Sequence, residues 1–318
     1  MTQIYNTISD PMYQKQLINW YENEEIDQWL LYLGEGWWST YYSSMSNTYG
    51  ESDEELNNKD FLEFSKKSFK KDEKTVFISL GCWNSESEKY IMNNLWESYD
   101  IDYIWVDTSP EMINMSVENL KDIKNNTKFL RADFGSDEFK NEINNLCKNY
   151  DRKIFAFFGG TFGNIKYTKI INILYNILDE NDKIWIDIWI RKGTKIEDDL
   201  ALFERYKTYL TDPEEKKFLL NKIINDGIKE EDGEIILEST EHPESKALQF
   251  SFYFKFNKKI NINIKNYNIV FLPGYSIKLI QIYRFWVEWF VKLLEGHNFK
   301  LLEKQTKWFD GQFLFERN

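Results

Sequence analysis

The stretch FFGGTFGNI, residues 157–165, begins at the end of an apolar run and leads into a helical pattern. Its two adjacent glycines, and a third glycine three positions later, permit main-chain conformations that other residues avoid and let another group approach the main chain closely. By itself this pattern fits either a tight turn between a strand and a helix or a loop that binds a ligand. The segments around the stretch decide which fold carries it.

Short β-rich runs alternate with helical patterns from about residue 75 to residue 190. The runs are TVFISL (75–80), DYIWVD (102–107), TKFLRADF (127–134), KIFAFF (153–158) and DKIWIDIWI (182–190). Four segments with apolar residues at helical spacing separate these runs. The alternation predicts parallel strands joined by helical crossovers, and therefore an α/β fold with a doubly wound sheet.

The pattern changes after residue 194. Charged helical patterns fill residues 195–228, and strand-like alternation over residues 234–272 predicts an antiparallel meander with one buried face. A long helix is predicted from about residue 283 to residue 294. Two further strands are predicted around Asp310-Gly311, a dipeptide typical of hairpin turns. The sheet is therefore expected to resume after an insertion and to close with a hairpin.

Composition argues against several classes of partner and location. The 318 residues include 40 basic and 52 acidic side chains, a formal net charge of −12, so the chain has no overall attraction to nucleic acid. Two cysteines, Cys82 and Cys147, exclude a disulfide framework, and we expect a cytoplasmic protein. Two histidines without metal-ligand spacing predict no metal site. The sequence shows no signal peptide and no run of about 20 apolar residues, so we expect no membrane partner.

Candidate ligand contacts follow the ends of successive predicted strands. Gly81 follows the first strand, Asp107 ends the second, Asp133 and Phe134 follow the third, and the glycine-rich stretch follows the fourth. Ligands of open α/β sheets bind at these carboxyl ends, near the point where the strand order reverses. Asp107 suits the hydroxyls of a ribose, and Asp133 with Phe134 suits an adenine ring. Each acid alone is more typical of a helix cap, but their order favours a nucleoside-type cofactor.

The loop after the first strand, GCWNSESEK (81–89), distinguishes between such cofactors. It holds one glycine and two glutamates, whereas a dinucleotide site needs a G-x-G-x-x-G pattern to seat the pyrophosphate. Carboxylates repel a pyrophosphate but tolerate the positive sulfonium and amino groups of S-adenosylmethionine. No phosphate-binding GK[ST] motif occurs either. The charge therefore favours S-adenosylmethionine over NAD.

Five motifs taken together resemble the ergothioneine-pathway histidine Nα-methyltransferase family. They are LGCWNSESEK (80–89), VDTSPE (106–111), RADF (131–134), FFGGTFGNI (157–165) and IWIDIW (184–189). The strongest match is FFGGTFGNI, which follows the family's FLGSTIGN element nearly residue for residue. The resemblance is clear over residues 75–190 and weaker over the last 45 residues, where GYSIKLIQIYRFW is similar to a late segment of the family.

The resemblance implies a class I methyltransferase fold, in which a Rossmann-like doubly wound sheet ends in an antiparallel hairpin. It also implies a smaller α+β substrate-recognition domain, here residues 1–60 and 195–280, beside a cofactor-binding core of residues 61–194 and 281–318. Carried over by position, Gly81 would bend around the methionine part of S-adenosylmethionine. Asp107 would bind the ribose, and Asp133 with Phe134 would bind the adenine.

The same resemblance implies residues for the methyl acceptor. Gly159, which also borders the cofactor, would hold the acceptor's α-amino or α-carboxylate group together with Thr161 and Asn164. One tyrosine of the pair Tyr41 and Tyr42 would match the family's YY element and face the amine. Asn164 and that tyrosine would orient the nitrogen lone pair, and they are the candidate catalytic residues. The three glycines of the stretch would make room for the polar end of the acceptor.

Two features depart from the family pattern. Trp83 lies near the place where the family usually keeps a second loop glycine. Ile280 and Ile282 occupy the places of the glutamate and serine that bond both imidazole nitrogens in members acting on histidine, if Arg284 and Phe285 align with the family's K-Y/F pair. An imidazole without these partners loses bonds worth about 1.5–3 kcal/mol each. We therefore expect a substrate other than histidine, one that is larger or more apolar.

These features predict an S-adenosylmethionine-dependent N-methyltransferase that acts on the amine of an amino acid or a related small molecule. Two alternatives stay open at this point. The chain could be a binding protein that keeps the fold and has lost catalysis, as the single glycine of the first loop suggests. It could also methylate an amine of a peptide or protein, with the insertion as a platform.

Overall fold

The computed structural model describes residues 3–23, 30, 62–63, 65–83, 85–95, 98–123, 126–191, 193, 199–242, 246–307 and 309–318. The strands are β1 (Gln3–Asn6), β2 (Thr75–Leu80), β3 (Ile101–Asp107), β4 (Thr127–Arg131), β5 (Arg152–Phe157), β6 (Lys183–Trp189), β7 (Gly233–Glu241), β8 (Leu248–Phe256), β9 (Ile260–Ile264), β10 (Tyr267–Phe271), β11 (Ser276–Arg284), β12 (Phe299–Lys307) and β13 (Asp310–Arg317). The α-helices are α1 (Asp10–Asn23), α2 (Glu86–Leu95), α3 (Pro110–Asn119), α4 (Asp137–Cys147), α5 (Tyr167–Ile177), α6 (Leu200–Thr211), α7 (Pro213–Asn225) and α8 (Val287–Glu295). Short 3₁₀ helices span Thr161–Asn164 and Glu230–Asp232.

The main sheet runs in the order β1-β4-β3-β2-β5-β6-β13-β12. Strands β1 to β6 pair in parallel, whereas β13 is antiparallel to both β6 and β12. The strand order reverses between β2 and β5, which are neighbours although two strands separate them in the chain. The predicted alternation of strands and helices, the doubly wound sheet and the closing hairpin are confirmed. This topology is the one that the resemblance to methyltransferases implies.

Helices cover both faces of the main sheet, which explains why its central strands are apolar at nearly every position. Strands β2 and β5 are buried along their whole length. Helices α4, α5 and α8 contribute buried side chains to one face, and helices α2 and α3 contribute them to the other. Strands of a parallel sheet that are buried on both faces carry continuous apolar runs rather than alternating ones.

A second apolar cluster surrounds a three-stranded sheet of order β11-β8-β7. Helices α1, α6 and α7 contribute to this cluster, and the four alternating phenylalanines of QFSFYFKF are all buried in it. The predicted helices over residues 195–228 and the predicted buried face are therefore confirmed. The meander itself is interrupted, because β9 and β10 form a separate two-stranded sheet and β11 takes the place beside β8.

The helix predicted to start near residue 283 begins later. Residues 276–284 form strand β11, which pairs with β8 as far as Arg284 opposite Leu248. Helix α8 starts at Val287, with Trp286 as its N-cap residue. The segment before it is apolar at most positions, and this pattern fits a buried strand as well as a helix. Pairing with a distant strand decides the outcome.

The hairpin between β12 and β13 turns earlier than predicted. Lys307 pairs with Asp310, so the turn lies before the Asp310-Gly311 dipeptide, which forms the start of β13. A Cβ at position 311 would lie 2.7 Å from the ring of Phe313 and 2.9 Å from Ile190 Cγ2. Glycine is required there by close packing rather than by turn geometry.

Strand β1 was not anticipated from the sequence. Its four residues pair in parallel with β4, from Gln3 opposite Lys128 to Asn6 opposite Arg131, and extend the main sheet at one edge. The short strand is mostly exposed, so its sequence shows no apolar alternation. Within residues 1–60, assigned above to the smaller domain, this first strand therefore joins the core sheet. The division into two domains stays a prediction.

Candidate functional site

The loops that follow the parallel strands meet at one edge of the main sheet. The N–H of Gly81 donates to the carbonyl oxygen of Val106 at 2.8 Å, and the N–H of Ala132 donates to the carbonyl oxygen of Asp107 at 3.0 Å. The ends of β2, β3 and β4 are thus neighbours, as expected from the sequence. The residues expected to bind a nucleoside cofactor lie along this edge.

Gly81 is the point where the loops after β2 and β5 touch. It has a φ of +72°, and a Cβ built on it would lie 2.7 Å from Cγ2 and 2.9 Å from Oγ1 of Thr161. Both the main-chain conformation and the close approach require glycine. The buried Oγ1 of Thr161 has no hydrogen-bond partner among the described residues.

Trp83 keeps the left-handed conformation that a glycine would favour at this point of the loop. Its φ is +48°, a region that residues with a Cβ enter at a cost of about 1–2 kcal/mol. Its N–H donates to the carboxylate of Asp107. With Trp83 in place of the expected glycine, the loop still forms a main-chain hydrogen bond to Asp107 at the end of β3.

Asp107 ends β3 as a buried carboxylate, 5% exposed. It accepts a hydrogen bond from the N–H of Ser109 at 2.9 Å, and Ser109 in turn caps helix α3 by accepting from the N–H of Met112 at 3.3 Å. Burial raises the pKa of Asp107 to about 6, although the N–H groups of Ser109, Trp83 and Thr108 oppose the rise. A carboxylate that has lost its water gains from the hydroxyl donors of a bound ribose.

Glu88 is a second buried acid at this edge, and it was expected to contribute only its charge. It lies in helix α2, is 4% exposed, and accepts a hydrogen bond from Ser79 Oγ at 2.7 Å. Burial, together with the charge of Asp107, raises the pKa of Glu88 to about 7, against the hydrogen bond from Ser79. Helix α2 and the end of β3 thus each place a buried acid near the loop after β2.

Asp133 and Phe134 follow β4, next to helix α1. Oδ1 of Asp133 accepts from the N–H of Gly135 at 2.8 Å, and Oδ2 accepts from Nε2 of Gln16 at 3.2 Å. The ring of Phe134 packs edge-on against Phe157, with 6.2 Å between centroids. Helix α1 therefore contacts the residues expected to bind adenine.

The three glycines of the FFGGTFGNI stretch have different tasks. A Cβ at Gly160 would lie 2.6 Å from the indole ring of Trp189, and one at Gly163 would lie 3.0 Å from the carbonyl oxygen of Tyr283. Gly159 is exposed, has a φ of +58°, and would meet no atom within 4 Å. Two of the glycines expected to make room for a substrate thus make room for protein groups, and only Gly159 borders open space.

Asn164 ends the 3₁₀ helix Thr161–Asn164, which contains Gly163. Its side chain is partly buried, on the same short helix as Thr161. Tyr41 and Tyr42, the tyrosines expected to face the acceptor amine, lie outside the described residues. Their role stays a prediction.

Ile280 and Ile282 are buried on β11, 6% and 5% exposed. They belong to the same apolar cluster as Trp83 and Trp189, which lie in or beside the loops at the sheet edge. No imidazole-bonding acid or hydroxyl occupies these two positions. Ile280 and Ile282 therefore present only apolar side chains to their neighbours in this cluster.

A group of polar side chains near the end of β6 was missed by sequence reasoning. Asp187 accepts a hydrogen bond from the N–H of Gly159, and burial raises its pKa to about 7, with a further rise from the charge of Asp310. Arg284 is 4% exposed and lies against Trp189, with 5.7 Å from Cζ to the ring centroid. The acid follows IWI in a run that reads as a buried strand, so the only available signal was its polarity.

The residues at this edge fit S-adenosylmethionine. The carboxylates of Asp107 and Asp133 can accept hydrogen bonds from ribose hydroxyls and an adenine amino group, and Phe134 offers an apolar ring. The buried acids Glu88 and Asp107 suit a cationic sulfonium better than a phosphate. The buried Oγ1 of Thr161, which has no partner among the described residues, leaves a donor and acceptor for a ligand at the joint between the two loops.

The described part of the chain contains no helix that is both long and apolar enough to cross a membrane. Within the same residues, no three His, Cys, Asp or Glu side chains come together in a way that could hold a metal ion.

Comparison with known proteins finds a family model that matches part of the chain. The model of a family described as histidine-specific, S-adenosylmethionine-dependent methyltransferases matches residues 51–188. The matched segment contains the loops with Gly81, Asp107, Asp133 and Gly159. No curated protein matches the sequence.

Several solved structures are similar in fold at low sequence identity. One is the PH0226 protein from Pyrococcus horikoshii, with 13% identity, a TM-score of 0.44, and 85% of this chain and 93% of that chain covered. Another is an S-adenosylmethionine-dependent methyltransferase from Clostridium acetobutylicum, with 10% identity, a TM-score of 0.41, and 96% and 97% covered. A third is CalS10, an amino pentose methyltransferase from Micromonospora echinaspora, with 8% identity, a TM-score of 0.43, and 87% and 96% covered.

Proposed function

Because this chain is an S-adenosylmethionine-dependent methyltransferase whose residues 51–188 match the histidine-specific family, we propose that it methylates the amine of an amino acid or a related small molecule other than histidine. The observation that carries the second half of this proposal is the pair Ile280 and Ile282, which are buried in the apolar cluster that Trp83 and Trp189 pack against. These positions supply no hydrogen bonds to an imidazole. They suit an acceptor with a larger or more apolar side chain.

We assign the cofactor to Gly81, Asp107, Asp133 and Phe134, with Gly159 at its border. The bound cofactor supplies an activated methyl group, so the main task of the protein is to position an amine in line with it. Such positioning is worth about 7–11 kcal/mol of the barrier. Closely packed loops, tied together by the contact between Gly81 and Thr161, suit that task.

We assign the acceptor to Gly159, Thr161 and Asn164, with Tyr41 or Tyr42 beside the amine. Gly159 supports this assignment because it is exposed and borders open space. The unit formed by α1, α6, α7 and β7–β11 is the proposed substrate-recognition domain, since its apolar cluster includes Trp83 and Trp189 next to the loops. We also propose a cytoplasmic location, because both cysteines are buried free thiols.

An acceptor screen tests the proposal. The full chain is incubated with methyl-labelled S-adenosylmethionine and each proteinogenic amino acid, the corresponding decarboxylated amines, and a set of short peptides. We expect methylation of an amino acid or amine with an apolar side chain. Histidine should react about 10²–10⁴-fold more slowly in kcat/KM, since two bonds of about 1.5–3 kcal/mol each are missing. Histidine as the best acceptor, or methylation confined to peptides, would contradict the proposal.

Replacing Asn164 by Ala separates acceptor binding from cofactor binding. We expect Asn164→Ala to raise the KM of the acceptor strongly while the Kd of S-adenosylmethionine, measured by calorimetry, stays within about twofold. Asn172→Ala, on an exposed position of α5, is the matched control and should change neither value. Equal weakening of both ligands by Asn164→Ala would refute the assignment of this residue to the acceptor.

A further inference from the structure

Asp187 lies near the carboxyl end of β6, directly beside the loop assigned to the acceptor. The N–H of Gly159 donates to its carboxylate. Gly159 itself is exposed, and no atom lies within 4 Å of the place where its Cβ would be. A ligand that occupies the open space at Gly159 therefore comes close to the carboxylate of Asp187.

Gln312 lies opposite Asp187 on strand β13. The register of the two antiparallel strands pairs these residues directly, so their side chains project from the same face with Cβ atoms about 4.5–5.5 Å apart. The Oε1 atom of Gln312 is buried and has no hydrogen-bond partner among the described residues. A carboxylate and an amide oxygen side by side offer two acceptors, which complement the several N–H donors of an ammonium group.

We propose that Asp187 takes the proton that the ammonium group of the acceptor must lose before methylation, while Oε1 of Gln312 holds the same ammonium. This inference rests on the proposed function. In the step, an N–H bond of R–NH₃⁺ breaks, its electron pair stays on nitrogen, and the proton binds the carboxylate oxygen of Asp187. The freed lone pair then forms the N–CH₃ bond as the S–CH₃ bond of the sulfonium donor breaks, and that electron pair stays on sulfur.

Burial and a nearby charge bring the pKa of Asp187 close to neutral pH. Asp310 pairs with Trp189, two residues along the same face, and its charge adds to the effect of burial, so that the pKa of Asp187 is about 7. The hydrogen bond from Gly159 opposes this rise. Burial raises the pKa of Asp310 as well, and the positive charges of Arg284 and Arg205 oppose that rise. A base works best when its pKa is near the working pH.

A second polar group supports ligand binding at this end of β6. The guanidinium of Arg284 donates to the hydroxyl of Tyr206 through Nε at 3.3 Å and through Nη2 at 3.0 Å. Its Nη1 is buried without a hydrogen-bond partner in the described part of the chain. Unmet hydrogen-bonding capacity at both Gln312 and Arg284 is typical of a site completed by a ligand rather than of a finished core.

Asp187→Asn is the direct test, because an amide oxygen still accepts from the N–H of Gly159 but takes no proton. With the acceptor identified by the screen, we expect kcat/KM to fall about 10²–10⁴-fold at pH 7 while the Kd of S-adenosylmethionine is unchanged. Asp310→Asn should move the acidic limb of the pH profile to lower pH, because it removes a charge that raises the pKa of Asp187. Gln312→Leu should raise KM without moving that limb. A wild-type rate and pH profile in Asp187→Asn would overturn the inference and leave the proposed function intact.

A measurement without any acceptor provides a second readout. In the complex of the full chain with S-adenosylhomocysteine, ¹³C-labelled aspartate carboxyls are titrated by NMR. We expect a signal that is absent from Asp187→Asn and titrates near pH 7, and that titrates lower in Asp310→Asn. If the signal assigned to Asp187 by this comparison titrates below about pH 5, near the range of ordinary carboxyls, the inference is overturned. Failure of the wild-type chain to bind S-adenosylhomocysteine would instead count against the proposed function itself.

Discussion

Gly81 sets the distance between the loops after β2 and β5. In Gly81→Ala the new methyl group would meet Thr161 Cγ2 at 2.7 Å, and alanine would have to hold a φ of +72°. We expect the free energy of unfolding to fall by about 2–5 kcal/mol, the sum of a left-handed residue and an overpacked contact. Urea denaturation of the variant measures the change.

The steric part of this loss can be separated from the conformational part. Thr161→Ala removes both atoms that the new Cβ would touch, so the double variant should recover about 1 kcal/mol or more of the loss. Gly274→Ala is the control for conformation alone, since Gly274 has a φ of +88° and no neighbouring atom within 4 Å of its Cβ position. Equal losses in Gly81→Ala and Gly274→Ala would show that contact with Thr161 costs nothing.

At the scale of single residues, the sequence predicted strand-end positions better than contacts. Gly81, Asp107 and Asp133 could be placed because each follows a recognisable apolar run. The partners of Gly160 and Gly163 could not be predicted, since Trp189 and the carbonyl of Tyr283 come from distant segments. Whether a segment can form a turn depends on its local sequence, whereas the need for glycine at a given position depends on the tertiary neighbours of that position.

The contact between helix α2 and strand β2 makes stability depend on pH. Buried Glu88 accepts from Ser79 and has a pKa of about 7 against 4.5 for an ordinary glutamate. The folded state therefore keeps a proton that the unfolded chain has lost between these two values, so unfolding free energy decreases as pH rises through this window. The contribution of Glu88 is about 3 kcal/mol, present below pH 4.5 and lost above pH 7.

Glu88→Gln keeps an acceptor for Ser79 and removes the titration. We expect the variant to be more stable than the wild type at pH 8 and to show a flatter dependence on pH between about 4.5 and 7 in urea denaturation. A residual slope of the same sign should remain, because burial also raises the pKa of Asp107 and Asp187. Glu118→Gln, at a side chain 75% exposed, is the control. An unchanged slope in Glu88→Gln would contradict the prediction.

At the scale of elements, periodicity was sufficient wherever the apolar pattern fitted only one kind of element. Strands β2 to β6 and the helices between them follow from alternating short apolar runs and helical spacing. Strand β11 did not, because its apolar residues also fit a helix and only the pairing with β8 distinguishes the two. Strand β1 was missed for the opposite reason, since an exposed strand of four residues carries almost no pattern.

Arg191 joins the main sheet to the second unit. Arg191 lies two residues after the end of β6. Its Nε donates to Asp199 at 2.8 Å. Its Nη1 donates to Glu241 at 2.7 Å and to the carbonyl oxygen of Lys246 at 2.6 Å. The side chains of Arg191 and Asp199 are 0% and 1% exposed. Removal of the cation would leave a buried carboxylate without its partner.

We expect Arg191→Met to lower the free energy of unfolding by about 3–5 kcal/mol, the range for breaking one side of a buried ion pair. Addition of Asp199→Asn should recover a large part of the loss in urea denaturation, because the stranded charge is gone. Lys207→Met removes one side of an exposed pair, 46% and 65% exposed, and should cost less than about 1 kcal/mol. A loss that small for Arg191→Met would mean that the ion pair with Asp199 contributes little to the contact between the two units.

Helix α1 contacts both of the proposed ligand-binding regions. Near its middle, Gln16 donates to Asp133, and near its end Trp20 Nε1 donates to the carbonyl oxygen of Lys278 at 2.6 Å on β11. A nucleoside bound to Oδ2 of Asp133, as proposed above, would compete with Gln16 for this oxygen. The contacts of α1 with β11 would then differ between the empty and the loaded enzyme, and methyl donor and amine would acquire a preferred order of binding.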